Sequence, residues 1–81
     1  MATAGYDSIG AARQLVADAL GRSLNEIPSD GSSHTIAAWD SIGHIRVVLA
    51  LEAVIGRPLP SAAIATLASV ADVAAEMDKN T

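Results

Sequence analysis

The chain has 81 residues and no cysteine, which leaves room for one domain with one small core and excludes a disulfide scaffold, a Cys-ligated metal and a thiol nucleophile. A formal charge of −4, with Tyr6 and Trp39 as the aromatic residues, supplies neither the basic stripe nor the stacking surface that nucleic acid requires. Hydrophobic residues make up 51% of the chain, enough to fold without metal, although many are alanines that favour helix and bury little area each.

Two histidines leave too few ligands for a zinc site. The first residues, Met1 to Asp7, lack the basic and apolar regions of a secretory signal, and the longest apolar run, Val47 to Leu51, is far too short to span a bilayer. The expectation is a cytoplasmic monomer with no membrane span.

The first helical pattern runs from about Ser8 to Leu20, with Ile9, Ala12, Val16, Ala19 and Leu20 on one face. Asp7 or Ser8 can cap its start, and Gly21 ends it as a residue able to adopt the left-handed conformation. From Arg22 to Asp40 the chain is rich in turn formers and keeps no period, which predicts a long loop pinned by Leu24, Ile27 and Ile36. The second helix starts at Asp40 or Ser41 and ends near Ile55, stopped by Gly56 and Pro58. Its apolar residues cover more than one stripe, so it is either buried or meets a partner as well as its own core. Pro60 to Thr66 permits one short helical turn. Ser69 then opens a last helix, with Asp72 in its first turn and Val70, Val73, Ala74 and Met77 as its inner face, and the tail from Asp78 to Thr81 frays. The elements together predict a single all-α domain over residues 1–81. It is a four-helix bundle with a short third helix and a long loop between helices 1 and 2.

The stretch Trp39-Asp40-Ser41-Ile42-Gly43-His44-Ile45-Arg46-Val47-Val48-Leu49-Ala50-Leu51-Glu52 resembles the signature of the acyl carrier protein family. In that signature Asp-Ser-Leu or Asp-Ser-Ile opens a helix, and apolar residues lead to Ala-Leu-Glu. Leu20-Gly21 before the loop, Leu59-Pro60 after the second helix and Leu67-Ala68-Ser69-Val70-Ala71-Asp72 at the last helix fall at the family's spacing. The resemblance implies a discrete carrier, not an enzyme, with Ser41 as the attachment point of a 4′-phosphopantetheine arm taken from coenzyme A. It implies as partners a phosphopantetheinyl transferase and the enzymes of one pathway that load and transfer acyl groups. Asp40 matches the motif acid, which the family suggests contacts the transferase; it could equally cap the helix. A hydroxyl at a helix start is reachable, and a phosphate there meets the positive end of the helix. Read on its own, Ser41 is an N-cap serine such as any helix can have.

Asp7-Ser8-Ile9-Gly10 repeats Asp40-Ser41-Ile42-Gly43 letter for letter, but no Ala-Leu-Glu follows it, and it reads as the cap of the first helix. Carriers of fatty acid synthesis have a strongly acidic second helix. Here the only acid between Ser41 and Arg57 is Glu52, against Arg46 and Arg57. That predicts recognition through apolar contacts of Ile42, Ile45 and Leu49. Arg46 either selects against the usual partners or is a plain solvated residue, and a dedicated pathway follows from the first reading. Ser33 stands where carriers often place an apolar anchor, leaving Ile36 or Trp39 to pack there. Trp39 reads as a core anchor rather than a contact for the arm or a partner, and His44 as solvated, although His44 could touch an arm phosphate when protonated. Three other functions compete. A carrier of D-alanyl or other amino-acyl groups would use the same serine. An unmodified helical adaptor would use the second helix alone. A hydrolase using Asp40, Ser41 and His44 would need an oriented histidine and a pocket that 81 residues hardly provide.

Overall fold

A computed structural model describes residues 8–79. It contains four α-helices: α1 (Ser8–Leu20), α2 (Ser41–Ile55), α3 (Ser61–Thr66) and α4 (Val70–Lys79). The all-α reading with a short third helix therefore holds. Helices α1, α2 and α4 pack on one another, whereas α3 is the most lightly held.

Helix α1 lies between α2 and α4, so its buried surface is wider than a single stripe. Ala12, Leu15, Val16, Ala17 and Leu20 are buried, while Ile9 and Ala19, expected on the inner face, are half-buried. The helix ends as its sequence predicts. Gly21 has φ 68°, and the Arg22 and Gly21 amides donate to the Ala17 and Asp18 carbonyls at 2.9 and 3.3 Å, closing the left-handed cap. The candidate cap Asp7 lies outside the described residues. Ser8 Oγ does not cap a neighbouring amide but donates to Asp78 Oδ2 at 3.2 Å, tying the start of α1 to the end of α4.

The connection from Arg22 to Asp40 is less irregular than its composition predicts. Leu24–Glu26 forms one 3-10 turn. Glu26 Oε2 accepts from the Ser23 amide at 3.2 Å and from Ser23 Oγ at 3.0 Å. Arg13 on α1 reaches across to donate to the Ile27 and Leu24 carbonyls, at 2.5 and 3.1 Å, so its charge is spent on the loop backbone. Ile27 and Ile36 are buried as anchors, but Leu24 remains exposed because the 3-10 turn points it outward. The end of the loop is stitched to the start of α4: Ser33 donates to the Ala68 carbonyl at 2.8 Å, and Val70 donates to the Gly31 carbonyl at 3.0 Å.

The remaining elements follow from local chemistry. Gly56, at φ 78°, closes α2 with its amide on the Glu52 carbonyl. The Glu52 side chain accepts from the Leu59 amide at 2.8 Å and sets the course of the chain into α3. Ser69 Oγ accepts from the Asp72 amide at 3.1 Å, while Asp72 Oδ2 accepts from the Ala68 amide at 2.9 Å, a reciprocal cap at the start of α4. Val70, Val73, Ala74 and Met77 are its inner face, as expected. The tail departs from expectation: Asp78 and Lys79 stay helical, held by the Ser8 hydrogen bond and by a 3.2 Å pair between Lys79 and Glu76, while Asn80 and Thr81 lie outside the described residues. Among the described residues, no helix is long and apolar enough to cross a membrane.

Candidate functional site

Ser41 is the first residue of α2 and is exposed. It is not the cap of that helix. Asp40, extended at φ −91° and ψ −165°, takes that role, with Oδ1 accepting the Gly43 amide at 2.8 Å. Among the described residues the Ser41 side chain makes no hydrogen bond, so its hydroxyl is released from structural duty and stands at a loop–helix junction. The N-cap reading of Ser41 is thereby corrected. The capping reading of Asp40 describes its geometry.

Gly43 explains how the junction is built. It is buried, and a β-carbon there would run into the Ala38 carbonyl and come within 2.8 Å of Leu20 Cδ2. The last turn of the loop thus lies directly on the first turn of α2, which turns Ser41 to the outside. A glycine inside an otherwise helical pattern is the sequence signal for such a close approach.

Trp39 is buried, as an anchor should be, and its Nε1 donates to His44 Nδ1 at 3.2 Å. Because indole only donates, Nδ1 must be the unprotonated nitrogen of a neutral ring. Nε2 then carries the proton and donates to the Ile64 carbonyl at 3.0 Å, in the last turns of α3. His44 is therefore half-buried and doubly engaged, not solvated as its sequence context suggested. It links loop, α2 and α3. Neither nitrogen remains to take a proton from Ser41, and neither meets Asp40, so no acid–histidine–serine relay is assembled. Protonating Nδ1 toward an arm phosphate would cost the Trp39 hydrogen bond.

An open recess of about 490 Å³ adjoins Ser41, walled by Ser33, Trp39, His44, Ala65 and Leu67. Both residues proposed to replace an apolar anchor at Ser33, Ile36 and Trp39, are in the core. On the other side of α2, Ile42, Ile45 and Leu49 are 63%, 58% and 59% exposed, with Arg46 exposed among them. These four share a face, while Asp40 and Ser41 sit at its N-terminal end. The repeated motif is placed differently: Ser8 is half-buried and bonded to Asp78, and Asp7 is outside the described residues. Glu52 and Arg13, which fasten the two connections flanking α2, had no local signal, since their partners are backbone groups seven to fourteen residues away. Among the described residues, no group of three His, Asp or Glu side chains could hold a metal ion. No protein-family model matches the chain, and no curated protein is similar to it at a significant level.

Proposed function

We propose that this protein is an acyl carrier, presenting Ser41 for attachment of a 4′-phosphopantetheine arm and serving the enzymes of a dedicated biosynthetic pathway. The observation that carries the reading is the exposed Ser41 hydroxyl at the start of α2, left free because Asp40 does the capping. Attachment by a transferase joins Ser41 Oγ to the phosphate nearest the pantetheine in coenzyme A. The pyrophosphate bond breaks, adenosine bisphosphate leaves and the hydroxyl proton passes to the transferase. The residues present fit such a group. The phosphodiester anion would lie at the positive end of α2, and the recess bordered by Trp39, His44 and Leu67 gives the first part of the arm a wall. When attached, the arm supplies a thiol that holds acyl groups as thioesters; the protein supplies position and access. An amino-acyl cargo such as D-alanine would use the same serine.

The test is intact mass before and after incubation with coenzyme A, magnesium and a broad-specificity phosphopantetheinyl transferase, with Ser41→Ala in parallel. Addition of one phosphopantetheine, mapped to the Ser41 peptide and absent from Ser41→Ala, is expected. The alanine variant should unfold at nearly the wild-type denaturant concentration, within about 0.5 kcal/mol, because it removes no cap. No addition with several transferases, beside a carrier that loads, would leave the unmodified adaptor, which the exposed α2 face also supports.

A further inference from the structure

The hydrogen bonds of His44 make a joint between three elements, and the joint is asymmetric. The ring stands on the first turn of α2, where the His44 amide donates to the Asp40 carbonyl at 2.7 Å and fixes the backbone. Nε2–H donates to the Ile64 carbonyl and so fastens α3 to α2. Nδ1 accepts from Trp39 Nε1 and so fastens the end of the loop to α2. A second proton on the ring treats these two bonds differently. Nε2–H keeps its acceptor, and a cationic ring donates more strongly than a neutral one. Nδ1 becomes a donor facing the indole N–H, which can only donate. Trp39 is 2% exposed, so its N–H would then be buried without a partner, a costly state. Relief lies in the recess of about 490 Å³ beside Ser41, which Trp39 and His44 both wall: indole turned toward that space meets water.

The groups around the ring supply no substitute acceptor. Asp40 borders the same recess, but its Oδ1 is on the Gly43 amide. Helix α3, Ser61–Thr66, contains no acid or base. At the start of α4, Asp72 is turned to the Ala68 amide. On α2 itself, Arg46 is exposed on the outer face and Glu52 meets the Leu59 amide. The loop's Asp30 and His34 are exposed and lie outside the recess wall.

We propose that His44 is a pH-operated latch. Neutral, it holds the end of the loop against α2. Doubly protonated, it releases Trp39 while α3 stays attached, and the recess beside Ser41 opens. The latch belongs to the unmodified chain, so this inference goes beyond the carrier reading and does not depend on it.

The test is an NMR titration of the unmodified ¹⁵N-labelled chain from about pH 8 to about pH 4, with Trp39, the single tryptophan, as reporter. Ring spectra at the alkaline end should show His44 as the Nε2–H tautomer. As the ring takes its second proton, the Trp39 Nε1–H resonance and the amides from Ile36 to Trp39 should shift with the midpoint of His44. Acrylamide quenching of Trp39 fluorescence should rise several-fold over the same interval, while helical circular dichroism holds. The side-chain amide of His44→Gln can accept from Trp39 and donate to Ile64 at every pH, so in that variant both steps should vanish. In His34→Gln they should stay. An Nδ1–H tautomer, a Trp39 signal flat through the His44 titration, unchanged quenching, loss of helix together with the step, or steps that survive in His44→Gln would each overturn the proposal. All but the last are read on the wild-type chain, so they decide the matter even where the variant does not fold. Loading of Ser41 is read separately by mass, so failure of one reading is not mistaken for failure of the other.

Discussion

A glycine within a helix ordinarily costs about 1 kcal/mol relative to alanine, yet Gly43 occupies a point where backbone from Ala38 leaves no room for a β-carbon. The contact wins over the propensity, because a carbonyl cannot rotate aside as a side chain can. Gly43→Ala should therefore destabilise the protein by about 1–3 kcal/mol, read as a lower urea midpoint with unchanged slope. A stabilised variant would mean that the loop does not lie on α2 as described. His44 makes a second residue-scale case. His44→Phe leaves the Trp39 Nε1 donor and the Ile64 carbonyl without their partner and should cost about 1–3 kcal/mol in the same assay. Trp39 could be read as an anchor because a large aromatic beside a turn-rich segment has few other places to go. The engagement of His44 could not be read, since Ile64 lies twenty residues away and meets it only once α3 has folded back.

At the level of elements, α1, α2 and α4 were legible because their apolar residues recur at helical spacing and their ends carry strong stop residues, Gly21 and Gly56. The loop was not, because much of its order comes from outside it: Arg13 from α1, the Ala68 carbonyl and the Val70 amide from the start of α4. Two pieces are self-contained, the turn from Ser32 to Ile36 and the 3-10 turn at Leu24–Glu26. There, hydrogen bonds from the Ser23 amide first and the Ser23 hydroxyl second, with Arg22 adding a smaller attraction, hold the Glu26 carboxyl below the usual glutamate range. A carboxylate whose folded pKa is depressed contributes stability that is present above its unfolded pKa and lost as pH falls through the folded one. In a carbon-detected NMR titration, Glu26 should accordingly titrate below an ordinary glutamate, and protection of the Ser23 amide should fall as it does so. Glu26→Gln should remove that acid-side step; a step of unchanged size would assign it to another group.

For the whole molecule, the small core sets the tolerance. At about 0.05–0.15 kcal/mol per residue, 81 residues give a total stability of roughly 4–12 kcal/mol. Leu51, fully buried where α2 faces the other helices, is a large share of that core, and Leu51→Ala should cost about 2–5 kcal/mol. The melting temperature, followed by circular dichroism, should drop by at least about 8 °C. Val47 and Val48 share that inward face with Leu51 and Gly43, and none of the four belongs to the outward set of Ile42, Ile45, Arg46 and Leu49. One helix thus carries two texts written on alternate sides, and either can be edited without touching the other. Substitutions on the outer side can accumulate while the fold is inherited unchanged. Among sequences sharing the inward set, variation should therefore concentrate at the outward one.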